Sequence, residues 1–214
     1  MLTVGRSSKA DFVEERLVVA DNMLAQARAI VNLADGVDRV FCEVISDIQT
    51  AWENKKIVVF SGAGKSGLVG RYLASIFNAI GVSSVFLSPS EATHGDFGTM
   101  RVAGVLIALS VSGETEELKP VIARASILDI PSNLITAGSE GCSLAAVATD
   151  ILFLPLLPEI DPSGMLPLKA SLMQMALGNA LVVAVAERIG FSREQLAELH
   201  PGGAIGEALK ESAG

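Results

Sequence analysis

Apolar residues follow two patterns along this chain. From about Lys9 to Ala34, Phe12, Leu17, Val18, Met23, Leu24, Ile30, Val31 and Leu33 recur at roughly helical spacing, which predicts an irregular amphipathic helix. Asp35-Gly36 breaks it, and a second helix is expected from about Asp38 to Glu53, with Val40, Phe41, Val44, Ile45 and Ile48 on one face. Beyond residue 55 the pattern changes to short apolar runs: Lys56–Phe60, Ser83–Leu87, Gly104–Leu109, Ser132–Thr136 and Ile151–Leu154. Runs this short and continuous read as strands buried on both faces of a parallel sheet. Helical segments alternate with them: one to about Ile80, one over Thr115–Leu128, a short one near Ser143–Ala148, and a long one over about Leu168–Ile189. Each is about one crossover long, so right-handed βαβ units and a doubly wound α/β sheet follow. The first eight residues are expected to be loosely attached, and no second domain is expected after Leu209.

Composition sharpens this picture. The 214 residues are 50% hydrophobic but only 5% aromatic, enough for a large aliphatic core with apolar surface left over for oligomerisation. A net charge of −8 argues against a nucleic-acid partner. Cys42 and Cys142 lie far apart with no C-x-x-C spacing, as expected of reduced thiols. No apolar leader is visible, and Leu172–Ala186 carries Gln174 and Asn179 and is too short to span a bilayer. The expectation is a soluble cytoplasmic protein without a membrane partner.

The candidate chemistry lies where strands end. Leu106–Leu118 runs from a strand through Ser110, Ser112, Gly113 and Thr115 into an acidic helix start at Glu114. Glycine permits a bend at which N–H groups converge on an anion, and a helix N-terminus adds positive potential. Gly62–Gly67 fits G-x-G-x-x-G, but the following strand ends Val85-Phe-Leu-Ser88 with no acid for a ribose. A Walker A loop is excluded because Val59 stands where its first glycine is needed. What remains is a glycine-rich turn that admits a small ligand, with Lys65 as a cation and Ser61 and Ser66 as hydroxyls. Ser88–Asp96 holds His94 and Asp96, with Ser90 as a candidate helix cap. Pro158–Gly164 holds Glu159 and Asp161, and Leu199–Gly206 holds His200. Two histidines this far apart do not define a metal site by spacing.

Together, GAGKSG at 62–67, EATHGD at 91–96, SVSGET at 110–115, the Glu159, Pro162, Gly164, Pro167 spacing and HPGGAIG at 200–206 resemble the sugar isomerase (SIS) domain family. The likeness is to its arabinose-5-phosphate isomerase branch. The resemblance implies a flavodoxin-like five-stranded parallel sheet over residues 35–214, preceded by an N-terminal helical segment at 1–34. It also implies a homodimer or homotetramer with shared active sites. Lys65, Glu114, Glu159 and His200 match the family's charged active-site residues, with His200 expected to reach a neighbouring subunit's site. Gly64, Ser66, Ser110, Ser112, Gly113, Thr115 and Ser171 match its substrate and phosphate contacts, and His94 a metal-contacting histidine, with zinc as the candidate ion. No cofactor is required. Where the family has a Thr/Ser run after Pro167, this chain reads Leu168-Lys-Ala-Ser171, and Val111 replaces the usual Asn. The implied activity is aldose–ketose isomerisation of arabinose 5-phosphate, or a related sugar phosphate, through a cis-enediol. The alternative is a non-catalytic SIS module that senses a sugar phosphate.

Overall fold

The computed structural model describes residues 9–211. The first eight residues and the last three lie outside them, so the expectation for the N-terminus is not addressed. Helices α1 (Lys9–Asp35) and α2 (Arg39–Glu53) precede β1 (Ile57–Gly62), α3 (Gly64–Ala79), β2 (Ser84–Leu87) and the short α4 (Pro89–Ala92). After a 3-10 segment (Asp96–Val102) come β3 (Ala103–Leu109), a second 3-10 turn (Glu116–Leu118), α5 (Lys119–Ile127), β4 (Ser132–Thr136) and β5 (Asp150–Phe153). The long α6 (Leu168–Arg188), α7 (Arg193–Leu199) and α8 (Gly203–Glu211) complete the chain.

All five strands pair in parallel in the order β2-β1-β3-β4-β5. The chain leaves β1 toward one edge and β3 toward the other, so the topological switch lies between β1 and β3, where open α/β sheets bind ligands. Strand residues alternate between two apolar layers, as a period of two requires. Val58, Phe60, Val105, Ile107 and Leu109 join the layer of α1, α2, α3 and α6. Val59, Leu106, Ala108 and Leu134 join that of α5 and the loops around it. On the first layer Phe60 and Phe77 pack with ring centroids 5.4 Å apart.

Local chemistry sets the element ends. Asp38 caps α2 by accepting from Val40 N at 2.9 Å. Ser192 and Gln195 close a reciprocal capping box on α7. α6 is long and apolar enough to cross a membrane by length and composition, but half of its most apolar window is buried in the protein. It is the core helix on which α1, α2 and α3 pack.

Three expectations change. The helix expected over Thr115–Leu128 opens as a 3-10 turn and becomes α-helical only at Lys119, because Pro120 suits a helix's first turn and not its interior. Ser143–Ala148 forms successive turns with no regular helix. Ser88, rather than Ser90, holds the cap position of α4, since Pro89 takes its first helical position.

Candidate active site

Two glycines place Lys65. A Cβ on Gly67 would stand 2.6 Å from the Gly62 carbonyl oxygen, and one on Gly62 would stand 3.0 Å from that of Leu109. The first turn of α3 therefore rests directly on the end of β1. α3 begins earlier than the Gly-rich loop suggested: Gly64, at φ +54°, is its first residue, so Lys65 and Ser66 lie in its first turn. No side chain caps this end, so its first N–H groups and positive dipole are available to an anion.

The 110–115 loop is braced from within. Ser110, 2% exposed, accepts from Gly113 N at 3.0 Å and shares a 2.7 Å hydrogen bond with Thr115 Oγ1. Its hydroxyl thus supports the loop from beneath. Ser112 Oγ accepts from Glu114 N at 3.2 Å and keeps its own proton to donate. Gly113 has φ +72°, and a Cβ there would meet Cys142 Sγ at 2.2 Å. The loop after β4 locks against it: Ala137 N donates to Val111 O at 3.0 Å, and Thr136 Oγ1 accepts from Gly138 N at 2.9 Å.

Lys65, Ser66, Ser112 and Thr115 line one cleft of about 530 Å³ beside the switch point, with Ser139, Leu156 and Pro167 on its other walls. Gly64 lines an adjoining cleft of about 430 Å³ with Arg71, whose guanidinium stacks 4.2 Å from the centre of Phe86, and with Ser88 and Ser90.

The two glutamates are engaged. Glu114, exposed beside the cleft loop, accepts from Ser143 Oγ at 2.5 Å and from Ser143 N at 3.0 Å. The hydroxyl, then the amide, holds its carboxyl below the usual range. Glu159 sits at the N-terminus of α6, accepting from Lys169 N at 2.8 Å and Ala170 N at 3.1 Å. It acts as a remote cap there, where the residue before the helix, Pro167, offers no side-chain acceptor. Asp161 braces its own loop through Ser163 and Leu166 N, and the Ser163 hydroxyl leads in holding its carboxyl low. Ser171 keeps a buried hydroxyl without a partner. Lys169 is only 8% exposed, so it does not project into solvent.

His200 lies elsewhere. Its ring Nδ1 is 3.2 Å from the Leu196 carbonyl; a carbonyl only accepts, so Nδ1 is the donor in this contact. The preceding Leu199 packs against Gly81, just past the far end of α3. Lys65 occupies the first turn of that helix of 16 residues, so the two are separated by about 24 Å of helix. Within one chain His200 does not reach the cleft. His94 is exposed in the turn after α4, and no group of three His, Cys, Asp or Glu fit to hold a metal occurs among the described residues. The donor set here does not fit a resident zinc ion, which needs three or four ligands.

Sequence reasoning did not single out Ser139 and Ser143. The signal was present: Thr136-Ala-Gly-Ser-Glu-Gly-Cys142 repeats the small-residue pattern of the other strand-end loops.

The fold is matched by comparison with known proteins. The SIS domain model covers residues 52–184, and the chain belongs to the SIS domain family. It is 39% identical over 158 residues to arabinose 5-phosphate isomerase KdsD of Shigella flexneri, covering 74% of this chain and 48% of that one. It is 33% identical over 193 residues to arabinose 5-phosphate isomerase KpsF of Escherichia coli, covering 89% and 58%. The chain thus spans about half the length of the curated relatives it matches. Among solved structures, an E. coli protein in complex with arabinose 5-phosphate superposes with a TM-score of 0.80 at 28% identity, over 91% of this chain and 100% of that one.

Proposed function

We propose that this chain is an aldose–ketose isomerase interconverting D-arabinose 5-phosphate and D-ribulose 5-phosphate. The observation that carries the reading is the cleft of Lys65, Ser66, Ser112 and Thr115 beside the uncapped N-terminus of α3. It offers a seat for one phosphate, built of hydroxyls and helix N–H groups with a cation alongside. The relatives named arabinose 5-phosphate isomerase and the neighbour solved with that sugar phosphate support it.

In this scheme the phosphate rests on Ser112, Thr115 and the start of α3, fixing the carbon chain. A carboxylate, Glu114 or Glu159, takes the proton from C2. The C–H electron pair forms the C1–C2 double bond of a cis-enediol, and the carbonyl oxygen takes up a proton. The same proton count is restored when C1 is reprotonated and the C2 hydroxyl becomes the carbonyl. Lys65 stabilises the oxygen on which negative charge develops. His200 serves ring opening in the site of a second copy, so the active unit is a homodimer or homotetramer. The reaction uses no cofactor and includes no step at His94. The proposal places residues 1–34 as a helical segment before a SIS domain at 35–214, in a cytoplasmic protein.

Loss of C2 deuterium from labelled arabinose 5-phosphate, followed by NMR across a panel of pentose and hexose phosphates, tests the reading. Exchange is expected with the pentose phosphate and is expected to disappear in Glu114→Gln or Glu159→Gln, whichever is the base. Binding without exchange of any substrate would leave the sensor reading in its place.

A further inference from the structure

The helix that presents Lys65 serves two clefts. Lys65 and Ser66 line the one described above, whereas Gly64, Gly67, Leu68 and Arg71, spaced by threes and fours, form a stripe of α3 along the other. This second cleft, of about 430 Å³, lies at the ends of β1 and β2. It falls within the ~300–1,000 Å³ usual for small-molecule sites. Lys65, Glu114 and Glu159 are not among its walls, so the proposed reaction leaves it unused.

Its cation is held ready. Phe86 lies against bare backbone of α3: a Cβ on Gly70 would stand 3.0 Å from its ring, and one on Gly67 3.4 Å. The Arg71 guanidinium stacks on that ring, 4.2 Å from its centre. Stacking occupies the flat face and leaves the N–H edge free, with part of the ordering cost of binding already met. Arg71 is exposed and makes no hydrogen bond or ion pair among the described residues, although Glu117 lines the same cleft. Ser88 Oγ and Ser90 Oγ, also on its walls, are 3.1 Å apart. One hydroxyl donates to the other, so the second keeps its proton for a ligand. Gly64 leaves the entrance open, since nothing lies within 4 Å of where its Cβ would be.

We infer that this cleft binds a small hydroxylated oxyanion, its carboxylate or phosphate held by the Arg71 fork and its hydroxyls by Glu117, Ser88 and Ser90. A guanidinium pairs both oxyanions through two parallel N–H groups. The hydroxyls of the same molecule supply the donors that a carboxylate such as Glu117 needs. Arg71 and its cleft carry this, whatever reaction proceeds in the first cleft.

Two probes decide it and name the oxyanion: glycerol 3-phosphate and D-glycerate, titrated separately into the isotope-labelled full chain and followed by NMR. The Leu68, Ser88 and Ser90 amides are expected to shift saturably with at least one probe, and the tighter one identifies the charged group. Arg71→Met, which keeps an apolar cover on Phe86, should weaken that binding roughly tenfold or more. Ser88→Ala/Ser90→Ala leaves Arg71 on Phe86 and should weaken it roughly threefold; it also serves if Arg71→Met does not fold. No saturable shift at Leu68, Ser88 and Ser90 with either probe, or a folded variant of either kind that binds as tightly as wild type, overturns the site. Shifts at Ser112 and Thr115 report the first cleft and should persist in Arg71→Met. Their absence would count against the phosphate seat there, so the two readings fail separately.

Discussion

Replacing Gly113 with alanine tests whether the anion loop is as tightly built as the structure shows. Two costs add. Gly113 has φ +72°, a left-handed conformation that costs a residue with a Cβ about 1–2 kcal/mol. The new methyl would also stand 2.2 Å from Cys142 Sγ and 2.8 Å from Cys142 Cβ. Cys142 is buried, so relief requires shifting a packed loop, an overpacking cost of about 1–3 kcal/mol. The expected loss is about 2–5 kcal/mol, or a fall in Tm of roughly 5–15 °C for a domain of this size. Gly190→Ala supplies the control, because its φ of +66° carries the same strain with nothing within 4 Å of the added carbon. Differential scanning calorimetry should show Gly113→Ala losing distinctly more than Gly190→Ala. Adding Cys142→Ala should recover part of the difference, since the sulfur goes and the 2.8 Å contact stays. Equilibrium dialysis should find weaker binding of inorganic phosphate by Gly113→Ala, because the loop that presents Ser112 and Thr115 has moved. A Gly113→Ala protein as stable as Gly190→Ala, with phosphate affinity intact, would refute this account of the loop.

Ser143→Ala removes the main hydrogen bond that holds the Glu114 carboxyl low. The folded-state pKa should rise toward 4.5, so the acid limb of the isomerisation pH profile moves upward while KM stays near wild type; an unmoved limb means that Glu114 is not the titrating base. If sites are shared, Lys65→Ala and His200→Ala chains, each inactive alone, should regain roughly a quarter of wild-type activity when unfolded and refolded together as dimers. No recovery on mixing would place His200 outside the site. Burial, ahead of repulsion from Asp150 and Glu43, raises the Asp47 carboxyl above 3.8, although Asn133 donates to it. A raised folded pKa gives stability that is full below 3.8 and lost as pH rises through the folded value. Asp47→Asn should therefore raise the urea midpoint at pH 7, by a margin that vanishes toward about pH 3.

How much of this was legible follows from what each signal encodes. The strands were visible because parallel strands buried on both faces appear as unbroken apolar runs. Val58–Phe60 and Leu106–Leu109 contribute to both core layers. The helix over 143–148 was misread because Leu144 and Ala145 are apolar for a different reason: they cover the α5 layer from turns. For the site, residue identity located the cleft but not the side-chain directions. Lys65 and Ser112 line it, whereas Ser110 turns inward to the loop and Glu159 to the end of α6. A sequence names a carboxylate without naming the N–H groups that will occupy it. The place of His200 depends on helix length, since α3 spans the sheet and Leu199 packs beyond its far end.

Two helix ends approach the cleft, and one of them is closed. At α6 the leading amides already have partners: Leu168 N donates to Leu166 O, Ser171 N to Pro167 O, and the two between them to Glu159. That carboxylate acts as a built-in stopper, leaving α3 as the socket for negative charge from outside. An anion from outside meets open N–H groups at α3, whereas at α6 it would meet a position already filled by a carboxylate of the protein's own. On the proposed function, a helix cap some distance from any reacting carbon would favour substrates with a single phosphate.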